Sequence, residues 1–494
     1  MYSRWRRPSR RTIAASAIFG LIVVAVSLAA PGRFGITVDS GEYLAVARSL
    51  LHGYGLTLPF GGLDEAFRTP AGSGQRVPLT QFPPLFPALI AAVAAVLHVS
   101  VYVAAVLINT CAFAWAGARL GLVVLRRSAL GCVTFVAILL SLPILEPAVM
   151  VWAEPLKLAF LAESGLALSA LAQRADRRSL LRLATFALLA TMTHFSGVAV
   201  GVAAVTLAAN KKAAGVKPVV VALAATVVPT VGWLVYSRQA GGGLSQKALG
   251  FHPPGSLTAG LLVIASGVLL VEIRRNRTST AVAEALFAVA FGALLVILAS
   301  RTLFDRNISL DRRQLQVVVV LGIAGALVRW PAGRWAARLS AAAAGASIVA
   351  GPVVTTVAVR SVMHSEWAGY KAERWQHSPL MAAVRESAGG HWFLTNAPEA
   401  VDLLSAAQPI GLPAAVNLYT GRSNARYSSE LATLRCATTG HSPLLAFFFR
   451  PTRGHARSPD PLLLTGLHAR EIARFDDGIE YTVDVTGCPP ATGG

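Results

Sequence analysis

Residues 101–125 read VYVAAVLINTCAFAWAGARLGLVVL and contain a single charged side chain, Arg119. A helix needs about 20 mainly apolar residues to cross the hydrocarbon core of a bilayer, so this segment is long enough to do so. The same criterion predicts about eleven spans, within two. They lie near residues 12–31, 101–125, 129–146, 150–172, 180–192, 194–209, 217–237, 256–273, 281–300, 314–330 and 337–359.

The composition agrees with this assignment and excludes a soluble globular protein. Of 494 residues, 54% are hydrophobic and only 14% are charged, whereas soluble domains carry roughly a quarter charged residues. Residues 1–359 hold 32 basic and 12 acidic residues, and residues 360–494 hold 12 of each. All the excess positive charge therefore lies among the apolar segments, where it reports topology and not nucleic-acid binding. We expect a membrane domain over 1–359 and a polar domain over 360–494.

Basic residues between the spans predict the orientation. Five arginines before residue 12 place the N-terminus in the cytoplasm, because cytoplasmic segments are enriched in Lys and Arg. An odd number of spans then places the C-terminal domain outside the cytoplasm. This parity requires that the short apolar segment 83–98 is an interfacial or re-entrant helix. The first span is either an uncleaved anchor, which its length favours, or a signal peptide cleaved near residues 29–31.

The C-terminal domain alternates helix and strand patterns. Ser378-Pro379 is typical of a helix start, and Asn396 with Glu399 as a capping-box partner predicts a helix over 397–407. Strand patterns follow the order 391–395, 444–449 and 479–485. We therefore expect a small α/β domain.

The four cysteines divide between the two parts of the chain. Cys111 and Cys132 lie in apolar segments, where a thiol behaves as a small hydrophobic group. Cys436 and Cys488 lie in the polar domain. They can pair if that domain faces an oxidising compartment, and the sequence leaves this open.

The long outer loop 32–82 contains an acidic residue at the predicted membrane boundary. Asp39 precedes a helical pattern that is typical of an amphipathic helix in the plane of the interface. Its apolar face would carry Tyr43, Ala47, Leu50 and Leu51, and its polar face Glu42 and Arg48. Asp39 is either a functional carboxylate or part of an ordinary N-cap, with Asp39 or Ser40 capping the helix at Glu42.

Further acidic residues lie inside a predicted span. Glu154 is near its outer end, and Lys157 follows one turn later on the same face. Glu163 lies deeper. Acids in a membrane usually face a bundle interior or a cavity, which would make these residues functional. Alternatively, Glu154 and Lys157 only neutralise each other or extend to the interface.

The loop 300–315 carries four arginines, although it is predicted on the outer side of the membrane, where loops contain few Lys and Arg residues. Arginine suits bidentate phosphate binding at a low-dielectric edge, so Arg312 and Arg313 are candidate phosphate ligands. The alternative is a set of local pairs, Asp305 with Arg306 and Asp311 with Arg312. His194, between two short spans, either contacts the same anion or bonds backbone carbonyls freed by a break in the helix.

Six motifs in this order resemble the membrane-embedded, lipid-phosphate-dependent glycosyltransferases of the C superfamily, which include protein mannosyltransferases and aminoarabinose transferases. The fourth has His where Arg is usual, and the fifth has Val317 in place of Pro. The motifs are Asp39-Ser40-Gly41-Glu42-Tyr43, Phe82-Pro83-Pro84-Leu85-Phe86-Pro87, Glu154-Pro155-Leu156, Thr193-His194-Phe195-Ser196-Gly197, Asp311-Arg312-Arg313-Gln314-Leu315 and Thr395-Asn396-Ala397-Pro398-Glu399.

The resemblance implies a polyprenyl-phosphate-linked sugar as donor and a glycan, lipid or protein as acceptor. Asp39 would be the catalytic carboxylate that activates the acceptor hydroxyl, and Glu154 a second acid of the site. Arg313, Arg312 and His194 would bind the donor phosphate. Glu42, Tyr43 and Lys157 are further candidate contacts to the acceptor or to a metal. Some relatives use a divalent metal; no other cofactor is implied.

The sequence leaves two rival functions open, a secondary transporter and a non-catalytic membrane scaffold or sensor. The absence of an obvious inverted repeat and the large polar domain weigh against a transporter. The Ala- and Arg-rich composition suggests a bacterium of high genomic GC content. We therefore expect a multi-pass protein of the bacterial plasma membrane.

Overall fold

A computed structural model describes most of the chain. The described residues are 35–60, 76–139, 141–210, 215–240, 256–274, 281–303, 312–329, 369–405, 407–416, 423–438, 442–449 and 459–486. The spans predicted at 12–31 and 337–359 and residue Cys488 lie outside this part.

The membrane part consists of helices joined by short connections. They are α1 Val38–Leu51, α2 Leu85–Leu97, α3 Val101–Leu125, α4 Ala129–Leu139, α5 Leu142–Leu145, α6 Glu154–Gln173, α7 Arg177–Thr193, α8 Ala199–Ala209, α9 Val216–Gln239, α10 Ser256–Arg274, α11 Ala281–Leu303 and α12 Arg312–Arg329. Two 3₁₀ turns, Glu146–Val149 and Phe195–Val198, precede α6 and α8. A two-stranded antiparallel ribbon, β1 Thr57–Leu58 and β2 Val77–Pro78, follows α1.

Most predicted spans correspond to observed helices, but one is wrong. The span predicted at 129–146 ends as a helix at Leu139 and is followed by α5 and a 3₁₀ turn, because Pro143 and Pro147 cannot donate backbone hydrogen bonds inside a continuous helix. Among the described residues, four helices are long and apolar enough to cross a membrane by length and composition, namely α3, α6, α9 and α11. The polytopic character is therefore confirmed, while the total of eleven spans stays a prediction.

The surface of α9 is that of a lipid-facing helix. Large apolar side chains, among them Val220, Val228, Val231 and Val235, are exposed along it. Soluble proteins rarely expose so large a contiguous apolar patch. The surface is suited to contact lipid tails.

Small residues let α11 pack closely inside the bundle. This helix packs against α6, α8 and α12. A Cβ at Gly292 would overlap the carbonyl of Ala199 in α8, and one at Gly165 in α6 would press on Leu286. Close backbone approach of this kind is how apolar helices associate in lipid, where the hydrophobic effect does not drive them together.

The helix α1 is not the exposed amphipathic helix that its pattern predicts. Glu42, assigned to the polar face, is only 1% exposed, while Leu51, assigned to the apolar face, is 41% exposed. The cause is that α1 packs against α2, β1 and a helix of the C-terminal domain, which covers the polar face. The helix is therefore a buried element between the two parts of the chain.

The C-terminal domain is a mixed sheet with helices, so the predicted α/β domain is confirmed. Its strands are β3 Trp392–Thr395, β4 Gln408–Gly411, β5 Leu444–Phe448, β6 Ala469–Phe475 and β7 Gly478–Val483, in the order β4-β3-β5-β7-β6. The strand β3 runs parallel to β4 and β5, and β7 runs antiparallel to β5 and β6. The helices are α13 Glu373–Gln376, α14 Pro379–Ser387, α15 Pro398–Leu404, α16 Tyr427–Ala437 and α17 Pro461–Gly466.

Two local predictions for this domain have different outcomes. Ser378 caps α14, where its side chain accepts a hydrogen bond from the backbone N–H of Met381. Asn396 does not cap α15, whose N-cap is Ala397. Its side-chain amide instead exchanges hydrogen bonds with the backbone of Phe448 on β5, because the strand partner offers both a donor and an acceptor.

The cysteines behave as their surroundings suggest. Cys436 is disulfide-bonded, whereas Cys111 and Cys132 are free thiols. The position of Cys488 lies outside the described residues.

Extended segments connect the first loop, the start of α6 and the C-terminal domain. Gly35 bridges Met150, and Ile36 bridges Gly369, both in parallel orientation. The backbone N–H of Tyr370 donates to Ile36 O at 2.7 Å. Residues from three distant parts of the chain are thereby held at one junction.

Gly369 is a position where this junction admits no side chain. Its φ is +58°, and a Cβ would overlap the carbonyl oxygen of Ile36. We expect Gly369→Ala to lower the free energy of unfolding by about 1–3 kcal/mol and to expose the C-terminal domain to protease. Thermal unfolding and limited proteolysis in detergent measure both effects.

Gly389→Ala is the matched control, since a Cβ there meets nothing within 4 Å. Equal stability and equal protease resistance in the two variants would contradict the close junction.

Candidate functional site

The site forms around Arg313, the second residue of α12. Its Nη1 lies 2.6 Å from Asp39 Oδ2, and its Nε donates to Glu154 Oε1 at 2.6 Å. One guanidinium therefore joins α1, α6 and α12. One turn along α12, Gln316 donates to the backbone carbonyl of Ile144 at 2.8 Å, which fixes the helix beside the 3₁₀ turn.

An aromatic ring supports the same guanidinium. The Cζ of Arg313 lies 4.4 Å from the ring centroid of Trp152, in the range of a cation–π contact. The indole Nε1 of Trp152 donates to Thr37 Oγ1 at 2.8 Å. The buried amide of Asn109 bonds Met150 O at 2.7 Å, which holds the segment that carries Trp152.

Asp39 lies in the first turn of α1 but is not its cap. The N-cap is Thr37, whose backbone N–H donates to Ser40 Oγ at 3.0 Å. The side chain of Asp39 is therefore available to Arg313, and its exposure is 29%. Of the two interpretations of Asp39, the structure thus excludes the one in which its side chain is the cap.

Glu154 is the first residue of α6 and its side chain is 0% exposed. A carboxylate at a helix N-terminus is favoured by the helix dipole. One of its oxygens bonds Arg313, and among the described residues Oε2 has no hydrogen-bond partner. The interpretation in which Glu154 only neutralises Lys157 is wrong, because its ion pair is with Arg313.

Lys157 lies on the same face of α6, one turn beyond Glu154. Its side chain is buried, and within the described part of the chain Nζ makes no hydrogen bond. The charges of Lys157, Glu154 and Arg313 are close enough to act on one another. The structure thus brings the buried side chain of Lys157 to the site.

His194 lies at the break between α7 and α8. Its Nδ1 accepts hydrogen bonds from the backbone N–H of Ser196 at 3.1 Å and lies 2.9 Å from Ser196 Oγ, so it caps the 3₁₀ turn. The ring is also within electrostatic reach of Lys157 and Arg313. The structure gives His194 a local capping role at the edge of the site.

Glu42 and Tyr43 lie on α1, three and four residues after Asp39. Both side chains are buried, and Tyr43 packs against Phe82 and Phe86 with ring centroids 4.8 and 5.1 Å away. Burial, together with the negative charges of Asp39 and Glu154, raises the pKa of the Tyr43 phenol well above its usual value. Tyr43 is therefore a neutral wall of the site.

Other predicted features lie elsewhere. The side chain of Arg312, and the loop containing the alternative pairs Asp305 with Arg306 and Asp311 with Arg312, are outside the described residues. Glu163 forms a separate structural cluster, in which its carboxylate accepts hydrogen bonds from Trp115, Arg119 and Arg182.

The C-terminal domain contributes residues that the motif analysis did not assign to the site. Glu399 on α15 packs against α1, where a Cβ at Gly41 would lie 2.7 Å from Glu399 Cβ. Tyr370 donates its hydroxyl hydrogen to Glu399 Oε2 at 3.2 Å, and Arg48 pairs with Asp402. Burial raises the pKa of Glu399 to about 7. These contacts place the domain directly over the helix that carries Asp39.

Trp152 and Gln316 were also missed by sequence reasoning. For Trp152, the available signal was a tryptophan two residues before Glu154, near the outer end of the predicted span. No pattern singles out Gln316, since its carbonyl partner is identified only by the fold.

The described residues form no site for the possible divalent metal. Arg313 lies between Asp39 and Glu154, so these two carboxylates are already paired with a guanidinium. Within the described ranges, no three His, Cys, Asp or Glu side chains are placed to hold a metal ion.

The chain is similar to known proteins in fold but not in sequence. No protein-family model matches the chain, and neither does any curated protein. The fold resembles that of ArnT from Cupriavidus metallidurans, with 14% identity, a TM-score of 0.55 and coverage of 97% of this chain and 99% of that one.

Two structures of the oligosaccharyltransferase from Archaeoglobus fulgidus are also similar. The one tethered to an acceptor peptide has 10% identity, a TM-score of 0.52 and coverage of 90% of this chain and 69% of that one. The complex with zinc and sulfate has 10% identity, a TM-score of 0.50 and coverage of 88% and 68%. At these identities the likeness establishes the fold, which agrees with the fold that the motifs imply.

The pair Glu154–Arg313 should be strongly coupled in stability. Removing one partner of a buried pair leaves an uncompensated charge and costs about 3–5 kcal/mol. We expect Glu154→Ala and Arg313→Ala to be non-additive, with a coupling of about 2–3 kcal/mol in a double-mutant cycle measured by unfolding in detergent.

The exposed pair Glu471–Arg474, which is 2.7 Å apart and has side chains 42% and 59% exposed, is the control. It should couple by at most about 1 kcal/mol. Additive effects at Glu154 and Arg313 would argue against the contact.

Proposed function

We propose that the protein is a glycosyltransferase that moves a sugar from a polyprenyl-phosphate donor to an acceptor hydroxyl at the outer face of the membrane. The observation that carries the proposal is the meeting of Asp39, Glu154 and Arg313 at one partly exposed site. It is a site with a carboxylate that can accept a proton beside a fixed cation that can stabilise an anion.

The fold supports the proposal. ArnT is an aminoarabinose transferase, and the second neighbour is an oligosaccharyltransferase whose structure holds an acceptor peptide. Both transfer sugars within a helical membrane fold that matches nearly all of this chain. Because fold alone does not determine function, the argument rests on the residues of the site.

In the proposed reaction, Asp39 removes the proton of the acceptor hydroxyl while the oxygen of that hydroxyl attacks the anomeric carbon of the donor sugar. The bond from that carbon to the phosphate oxygen breaks, and the phosphate leaves as an anion. Asp39 is suited to this role because it lies beside Arg313 and is partly exposed, so that an acceptor can reach it. Proton transfer by a positioned carboxylate typically contributes about 10²–10⁴-fold to the rate.

Arg313 would stabilise the negative charge that develops on the leaving phosphate. As Asp39 takes the proton it loses its charge, and the attraction of the guanidinium for the phosphate then increases. Glu154 and Trp152 hold the guanidinium in place throughout, so little reorganisation is needed during the reaction.

The location of the site suits a lipid-linked donor. Helix bundles expose apolar surface, such as that of α9, on which an isoprenoid tail can lie. The disulfide of Cys436 supports an extracytoplasmic C-terminal domain, because structural disulfides persist in oxidising compartments. We propose a bacterial plasma membrane protein with a cytoplasmic N-terminus, and an acceptor that is a glycan, a lipid or a protein.

Asp39→Asn tests the assigned base. The amide cannot accept the acceptor's proton, so transfer of labelled sugar from polyprenyl phosphate in membranes should fall by about 10²–10⁴-fold. The abundance of the protein in the membrane should not change.

Asp476→Asn, at an exposed turn between β6 and β7, is the control and should keep full activity. Full transfer by Asp39→Asn would refute the role of Asp39. Uptake of labelled sugar into vesicles without any glycosylated product would indicate a transporter.

Arg313→Lys tests whether the planar guanidinium group is required. A lysine keeps the positive charge but cannot contact Asp39 and Glu154 at once with the same geometry, nor stack as well on Trp152. We expect kcat to fall by about 10²-fold, with the protein still folded. A kcat equal to that of the unaltered protein would show that any positive charge suffices at this position.

A further inference from the structure

We infer that Lys157 is a ligand of the donor's phosphate group. This inference rests on the proposed function and changes the earlier assignment of Lys157, from a candidate contact of the acceptor or a metal to a binding residue for the donor.

The first argument is the burial of an unpaired ammonium. The side chain of Lys157 is 1% exposed, and Nζ has no hydrogen-bond partner in the part of the chain that the structure describes. Removing an ammonium from water without pairing it costs several kcal/mol. An anionic ligand would accept hydrogen bonds from Nζ and offset this cost.

The second argument is that the nearby acids are already engaged with another cation. Asp39 and Glu154 both contact Arg313. Lys157 is three residues after Glu154 and influences it electrostatically, but the two form no ion pair. The positive charge of Lys157 is thus left for a ligand, whereas that of Arg313 is divided between two carboxylates.

The third argument is the depth of Lys157 in the fold. It lies about 4.5 Å further along α6 than Glu154, given a rise of 1.5 Å per residue. That displacement runs away from the segment before α6, where Met150 and Trp152 contact the first loop at Gly35 and Thr37. A phosphate carried on a lipid tail reaches the site from within the bundle, whereas the acceptor reaches Asp39 at its partly exposed side.

The neighbourhood of Lys157 favours an anion of this kind. His194 lies within electrostatic reach of both Lys157 and Arg313, so three nitrogen-bearing side chains are close to one another. An ammonium acts as a compact charge with three donors and bonds phosphate oxygens well. We assign Lys157 to the phosphate oxygens and Arg313 to the charge that develops on the leaving oxygen.

Binding of farnesyl phosphate to the purified protein in detergent tests the inference without requiring turnover. Hydrogen bonds to charged groups contribute about 1.5–3 kcal/mol, so Lys157→Met should weaken binding by roughly 10–100-fold. The uncharged farnesol should bind the two proteins equally. Lys217→Met, at an exposed position on α9, is the control and should bind farnesyl phosphate like the unaltered protein.

The thermal stability of the ligand-free protein separates binding from a structural role. Replacing an unpaired buried ammonium by an apolar side chain of similar length should leave the Tm unchanged or raise it. A ligand role also requires farnesyl phosphate to raise the Tm of the unaltered protein more than that of Lys157→Met. Lys157→Gln serves as the second variant if Lys157→Met does not accumulate.

The outcomes distinguish the inference from the proposed function. If the unaltered protein binds farnesyl phosphate and Lys157→Met binds it equally well, the inference is wrong and the proposed function stands. A lowered Tm in the ligand-free variant with unchanged binding would make Lys157 a structural partner of Glu154. If the unaltered protein does not bind farnesyl phosphate, both are wrong.

Discussion

The contact of one guanidinium with two carboxylates is the constraint on which the rest of the structure depends. Asp39, Glu154 and Arg313 are far apart in the chain and lie at the starts of three helices. A buried arginine between two acids is stable only when all three helix ends converge, because each unpaired charge would cost several kcal/mol. The bundle, the extended junction and the C-terminal domain all serve to hold that convergence.

Polar contacts next to the site hold the three helix ends in position. Asn109 holds the segment before α6, Gln316 holds the start of α12, and the bridges at Gly35 and Gly369 join the first loop to the C-terminal domain. The C-terminal domain therefore helps to position the residues of the site. Its position over α1 leaves Asp39 partly exposed while Glu154 and Lys157 are buried. The proposed reaction uses this difference, with the acceptor at Asp39 and the donor phosphate at the buried side.

Much of the fold could be predicted from apolar length alone, since α3, α9 and α11 have the bounds that a bilayer requires. The break after Leu139 depends on prolines that an apolar count ignores. The burial of α1 could not be predicted, because its partner α15 lies some 350 residues later in the chain. The motifs identified Asp39, Glu154 and Arg313 individually, but Trp152 and Gln316 act through contacts that only the packed helices bring about.

The most direct test of the account is an experimental structure of the protein with farnesyl phosphate bound. The account predicts the phosphate within hydrogen-bonding distance of Arg313 and Lys157, the isoprenoid tail among the helices of the bundle, and Asp39 facing the opposite side of the phosphate. A phosphate bound elsewhere, with Asp39 and Arg313 on separate surfaces, would contradict it.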